Sequence, residues 1–274
     1  IMMPLLFVIL IVFCINSLRM DAAAEGLSFL FKPDFSQVTP SVMLGAMGQA
    51  FFSLSLGLGC LITYSSYFKK ETPLMRTAGI MASLDTLVAI LAGIIIFPAV
   101  FSFGLEPAAG PKLVFEILPS IFMQMPWSML WSTLFFILLF LASLSSTISM
   151  SEITIAYMTD EFGFSRRKAT AINIAIAMLF GTLCALSFGS LSGWTICGMT
   201  IFNLFDYVSS NILLPVGGMI ISIFVGWVLD RSVIRDELIT PRSGVRPWMV
   251  TAVIICLRYI APLCIGLVFI YGLF

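Results

Sequence analysis

The sequence contains no histidine. That absence removes His-ligated zinc, Ser-His-Asp triads and histidine proton relays together. Charge is scarce too: 10% of the 274 residues are Asp, Glu, Lys or Arg, against about 25% in a soluble domain whose surface must stay wetted. With 60% hydrophobic residues the chain cannot cover a water-exposed surface, and it reads as an integral membrane protein. Fourteen basic residues balance fourteen acidic ones, so there is no basic field to attract nucleic acid. The six cysteines (Cys14, Cys60, Cys184, Cys197, Cys256 and Cys264) show no C-x-x-C spacing and lie in apolar stretches, where they read as small buried residues. No H-E-x-x-H or G-x-S-x-G sequence occurs and no serine has an adjacent base, which argues against an enzyme. Residues 1–18 begin inside an apolar run without a charged leader or a small-residue cleavage site, unlike a signal peptide. The expectation is a fragment whose amino-terminal part is missing.

What the chain has is apolar length. About 20 residues cross the hydrocarbon core of a bilayer, and seven stretches are long enough: 1–18, 41–68, 76–103, 127–160, 168–188, 196–229 and 248–271. Basic residues partition between the connections. Lys69, Lys70 and Arg76, then Arg166, Arg167 and Lys168, then Arg231, Arg235, Arg242 and Arg246 fall on alternate connections, ten in all. The intervening connections hold only Arg19, Lys32 and Lys112. Positive charge stays cytoplasmic, which predicts a multi-pass protein of the inner (cytoplasmic) membrane, surrounded by lipid, with its carboxy terminus outside. The outer connections 19–40 and 104–126 are long; the second carries Pro107, Pro111, Pro119 and Pro126. Both read as partly ordered extracellular loops within one domain spanning 1–274.

Three segments carry chemistry. In the second span Ser53, Ser55, Gly57 and Gly59 fall on every second position, a period of two inside a membrane helix of period 3.6. A break there would expose backbone groups at mid-membrane, tolerable only where they line a site; equally, small residues let a neighbouring helix approach. In the fourth span Ala142, Ser145, Ser146 and Ser149 share one face. Their oxygens suit a hard monovalent cation, although each hydroxyl can instead bond a carbonyl of its own preceding turn. Asp85 lies inside the third span, where a charge costs at least about 2.5–3.5 kcal/mol, and a bound cation is its natural partner. Glu152 and Arg258 are also intramembrane and read as structural pairing or capping groups, whereas Asp160 and Asp206 lie near opposite faces, where a solvated carboxylate is ordinary.

The run Gly48-Gln49-Ala50-Phe51-Phe52-Ser53-Leu54-Ser55-Leu56-Gly57, continuing to Ile62-Thr63-Tyr64-Ser65-Ser66-Tyr67, resembles the neurotransmitter:sodium symporter family, which includes bacterial sodium-coupled amino-acid transporters. Glu25-Gly26-Leu27, Pro33-Asp34-Phe35, Ser145-Ser146, Asp160-Glu161 and Arg258-Tyr259-x-x-Pro262 follow at family-like spacing. The resemblance covers the whole chain, from the family's fifth helix to its eleventh. It implies an all-α polytopic membrane protein, half of a leucine-transporter-type inverted-repeat fold with one broken helix. It implies sodium-coupled symport of a neutral, apolar or aromatic amino acid; the rival readings are a non-transporting sensor of the same fold and an inactive fragment. The second span then resembles the broken sixth helix, with Phe52, Ser53, Ser55 and Leu58 in substrate-contacting positions, and Ser146 and Met150 lining the pocket from the eighth helix. Ser53 and Asp85 match ligands of one sodium site; Ala142, Ser145 and Ser146 match the other. Asp206 resembles an outer-gate carboxylate, while Tyr67 and Asp160 resemble inner-gate residues. The family commonly has Asn where Asp85 stands, and Ala89 occupies a position that is acidic in some chloride-independent members, leaving chloride dependence open.

Overall fold

The fold is known from a computed structural model, which describes residues 2–104, 113–239 and 245–273. Of the loop residues named above, Pro107, Pro111, Lys112 and Arg242 lie outside the described residues. Among the described residues five helices are long and apolar enough to cross a membrane: Leu74–Ser102, Ser128–Asp160, Arg166–Leu186, Ile201–Val228 and Pro247–Gly272. They match five of the seven stretches read from hydropathy. The first stretch is a shorter apolar helix, α1 (Met2–Ser17). The second is not one helix but two, α3 (Pro40–Ser53) and α4 (Cys60–Ser66).

The chain forms two compact units, Ile1–Gln37 with Ala82–Ile148, and Val38–Met81 with Ser149–Phe274. In the first, Ile9 and Phe13 of α1 pack with Ala99 and Val100 of α5 (Leu74–Ser102) and with Leu118, Ile121 and Phe122 of α6 (Leu118–Gln124). The two outer connections, expected to be loops, therefore contain helices: α2 (Ala23–Phe31) in one and α6 in the other. The reason lies at Pro98. Proline inside α5 has no amide to donate, and Gly26 of α2 lies so close to Phe97 and Pro98 that a Cβ would overlap them. Ser17 adds a hydrogen bond, its Oγ donating to the Ile95 carbonyl at 2.7 Å.

In the second unit α10 (Leu214–Ile223) packs against α13 (Ala261–Leu273) and against the wide π-helical turn Cys256–Ile260 that joins α12 (Pro247–Ile255) to it. Gly218, Ser222 and Gly226 recur every four residues and make a small-residue face. Gly226 sits 2.9 Å, as a Cβ would be placed, from Cα of Arg258, so no larger residue fits. A π turn displaces carbonyls from the regular helical ladder. Two displaced carbonyls of Cys256–Ile260 are taken by side chains: Ser222 Oγ donates to Leu257 O at 2.7 Å and Trp227 Nε1 to Arg258 O at 3.0 Å.

The sixth stretch starts later than hydropathy indicated. Residues 195–200 form a small hairpin, β1 (Thr195–Ile196) against β2 (Met199–Thr200), before α9 (Ile201–Tyr207) begins. Cys197 and Gly198 both have positive φ, +53° and +78°, as a two-residue I′ turn requires. This places Cys197 on the surface, and Cys256 is exposed as well; neither is the buried residue its apolar surroundings implied.

Candidate functional site

The break between α3 and α4 is built by a helix-terminating motif. The Leu56 amide donates to Phe51 O and the Ser55 amide to Phe52 O, both at 3.0 Å, while Ser55 adopts φ +53°. That is a Schellman end with serine where glycine is usual; a side chain in this region costs roughly 1–2 kcal/mol. Gly57 (φ +90°) and Gly59 (φ +79°) carry the chain on through conformations that favour glycine, and Gly59 caps α4. The motif uses the carbonyls of Ala50, Phe51 and Phe52. From Leu54 to Gly59 the chain lies outside both helices. Both sequence readings of this segment hold together: the helix breaks, and small residues do admit a neighbour. A Cβ on Gly57 would overlap the Leu214 carbonyl and the Gly218 amide of α10.

Beside the end of α3 lies a cavity of about 460 Å³ lined by Gln49, Phe51, Phe52, Asp206, Asn211 and Tyr271, among others. The structure thus brings Phe52 and Asp206 to one cavity. Ser210 Oγ donates to Asp206 Oδ1 at 3.4 Å. Asn211 lies in the π-helical stretch Val208–Leu213, which re-aims the residues following Asp206. Sequence reading missed Gln49, Asn211 and Tyr271. Gln49 stood within the motif and Tyr271 near the chain end, but nothing local distinguished them from ordinary polar residues at helix termini.

A second cluster forms around Glu152 of α7 (Ser128–Asp160). Arg166, at the start of α8 (Arg166–Leu186), holds both carboxylate oxygens through Nη2, at 2.8 and 2.6 Å. The Tyr67 hydroxyl donates to the same Oε1 at 3.1 Å, and one turn away the Tyr64 hydroxyl donates to Ser149 Oγ at 3.1 Å. Glu152 is therefore a paired carboxylate, as read. Tyr67 bonds Glu152, and Asp160 lies at the exposed end of α7. Met150 is 53% exposed.

The remaining candidates lie in the other unit. Asp85 is half-buried within α5. Along α7, Ser145 Oγ donates to Ala142 O at 2.8 Å, so one of the carbonyls offered to a cation already accepts a hydroxyl. Ser146 is exposed and Ala142 half-buried. Among the described residues no three His, Cys, Asp or Glu side chains converge to hold a metal. The oxygen donors on offer are hydroxyls, carbonyls and one carboxylate, the set a hard monovalent ion prefers over a transition metal.

A model of the sodium:neurotransmitter symporter family matches residues 1–274. The chain belongs to that family. Its members are transporters, not enzymes. The chain is 37% identical over 269 residues to the uncharacterized sodium-dependent transporter YhdH of Bacillus subtilis, covering 98% of this chain and 59% of that protein. It is 38% identical over 275 residues to an uncharacterized sodium-dependent transporter of Haemophilus influenzae, covering 100% of this chain and 59% of that one. The crystal structure of MhsT in complex with L-phenylalanine superimposes with a TM-score of 0.87 at 45% identity, over 99% of this chain and 61% of MhsT. The chain thus spans about three fifths of the length of the relatives it matches. Together with the apolar helices, family membership makes this a multi-pass membrane protein of the leucine-transporter fold.

Proposed function

We propose that the protein carrying this chain is a sodium-coupled symporter of a neutral, apolar or aromatic L-amino acid. One observation supports this most strongly: the helix interrupted between Ser53 and Cys60 inside an apolar span. Backbone outside a helix is tolerated at membrane depth only where it is buried in protein or lines a cavity, and interrupted helices of this kind, known from this same fold, bind substrate and ion in secondary transporters. The relative MhsT was crystallised with L-phenylalanine. On this reading Phe52, Ser53, Ser55 and Leu58 contact the substrate, joined by Ser146 and Met150. Asp85, Ser53, Ala142, Ser145 and Ser146 supply oxygens to sodium. Asp206 serves the outer gate, and Tyr67 and Asp160 the inner one, with Glu152 and Arg166 added to it. The direct test is uptake of labelled amino acids by the full-length protein in proteoliposomes. A sodium gradient should drive accumulation of phenylalanine or leucine; accumulation that ignores sodium overturns the coupling, and none at all overturns transport.

The substrate class has its own test. No charged residue stands among the proposed pocket positions, and Leu58 offers room that a phenylalanine there would fill. Leu58→Phe should raise the concentration of tryptophan needed for half-inhibition about tenfold more than that of alanine, since volume changes in an apolar pocket discriminate by roughly 1–3 kcal/mol. An unchanged order of inhibitors would remove Leu58 from the pocket, and strong inhibition by glutamate or lysine would overturn the substrate class.

The orientation rests on the ten-to-three basic asymmetry. A tag after Phe274 should react with an impermeant reagent added to intact cells, while a tag beside Arg235 should stay protected until the cells are opened. The reverse pattern would overturn the orientation, and both tags reacting on the same side would overturn the crossing between them.

A further inference from the structure

A second cavity, of about 440 Å³, lies away from the interrupted helix, where α11 (Arg231–Leu238) meets α12 and the π turn Cys256–Ile260. Three arginines line it: Arg231, Arg235 and Arg258. The rest of the lining that matters is apolar, with Ile239, Ile254 and Ile255. Arg231, Arg235 and Ile239 recur every four residues along the same side of α11 and its end.

The arginines reach the cavity by different routes. Arg231 and Arg235 are exposed, on the connection between the apolar helices Ile201–Val228 and Pro247–Gly272. Arg258 is eleven residues past the start of α12, roughly 16 Å deeper at helical rise, and long basic side chains at such depth extend back toward the interface. Its guanidinium stacks on the Trp227 ring, 4.2 Å from the centroid, and its buried Nε finds no hydrogen-bond partner among the described residues.

Acidic groups stand on and beside α11 (Asp230, Asp236 and Glu237), but none of them lines the cavity. Asp230 is engaged in capping α11: the Ser232 amide, 3.1 Å away, holds its carboxyl below the usual carboxylate range. Asp236 lines an adjoining surface hollow with Arg231 and Arg235 and does not line the cavity itself.

We infer that this cavity binds an anionic phospholipid from the adjacent leaflet, its phosphate among Arg231, Arg235 and Arg258 and an acyl chain along Ile239, Ile254 and Ile255. Charge complementarity selects the headgroup, because basic pockets at a membrane face recruit anionic lipid. The apolar lining selects a lipid over a free anion, since isoleucines offer an inorganic ion nothing. Bidentate guanidinium–phosphate bonds would supply the donors' missing acceptors.

The test uses the full-length protein, delipidated and titrated with phosphatidylglycerol or phosphatidylcholine of matched chains, with bound lipid counted by native mass spectrometry. Phosphatidylglycerol should bind at least about tenfold more tightly. Each arginine near an anionic headgroup contributes roughly fivefold, so Arg231→Gln with Arg235→Gln should lower that affinity about 25-fold. Both residues are exposed on α11, and monodisperse elution with an unchanged melting temperature verifies that the variant folds. Ile254→Trp, which fills the apolar part, should weaken both lipids alike. A photoreactive phosphatidylglycerol should label residues 247–259. Inorganic phosphate at millimolar concentration should not displace the lipid; if it does, the site is a free-anion site. Equal affinity for the two lipids, or a double variant that keeps the preference, overturns the proposal. The latter is the outcome expected if another part of the protein, or a second copy, covers the cavity. None of these readouts depends on transport.

Discussion

Replacing Asp85 with alanine is expected to abolish sodium-driven uptake by the full-length protein, whereas Asp85→Asn should retain activity at a higher sodium requirement. The carboxylate stands half-buried in α5, a helix whose apolar window has a mean hydropathy of 2.4. Carrying a charge inside an apolar span costs about 2.5–3.5 kcal/mol or more, and the sodium ion proposed above would offset that cost. Asparagine keeps an oxygen and loses the charge; alanine loses both. The measurement is sodium dependence of substrate binding and of uptake, in parallel. Unchanged sodium dependence in Asp85→Ala would remove this residue from the ion path. The hydroxyls of α7 provide an internal comparison. Ser146→Ala should weaken sodium affinity by about 0.5–3 kcal/mol, the scale of a lost polar contact. Ser145→Ala should cost less, because losing its Oγ also releases the Ala142 carbonyl that now accepts from it.

Gly57→Ala is expected to be the most disruptive single methyl group in the second unit. At φ +90° any side chain is strained, and here the added Cβ would overlap the Leu214 carbonyl oxygen and the Gly218 amide nitrogen. Both are backbone atoms of a helix, so neither moves aside as a side chain would. The left-handed conformation costs roughly 1–2 kcal/mol and overpacking a further 1–3 kcal/mol or so. The melting temperature should fall by several degrees and uptake should be lost. Gly181→Ala is the control: it lies within α8 with nothing near its Cβ position, and should be neutral or slightly stabilising. If Gly57→Ala melts no lower than Gly181→Ala, the close approach to α10 is absent in the membrane.

The interrupted helix was legible in the sequence because the signal is local. Alternation of Ser53, Ser55, Gly57 and Gly59 conflicts with helical periodicity wherever the rest of the chain lies. The choice between a break and a close-packing face was not legible, since glycine serves both. Its resolution needed α10, about 160 residues further along, whose backbone meets Gly57. Likewise the half-buried Glu152 announced a partner by its position in an apolar run, but the partner's identity required α8 to fold back.

Other features escaped because hydropathy measures desolvation and is blind to where backbone hydrogen bonds go. The outer connections 19–40 and 104–126 carry helices because Gly26 lets α2 approach Phe97 and Pro98 closely and because Leu118, Ile121 and Phe122 join a core. Their length implied loops only partly ordered. The start of the sixth span shifted from residue 196 to Ile201 because Cys197-Gly198 turns a hairpin, a matter of two φ angles that an apolar average cannot register.

By itself, then, the sequence determined the solvent this protein lives in, the places where it crosses that solvent, and the point at which one crossing fails. Composition and period are properties of each segment alone, and a bilayer enforces them on each segment separately. Tertiary structure decided which carbonyls the π turn of 256–260 presents to Ser222 and Trp227, which side chains share a cavity with Asp206, and which arginines meet at Ile254. Those are pairings between distant segments, set by how small residues let helices approach, and no segment carries them alone.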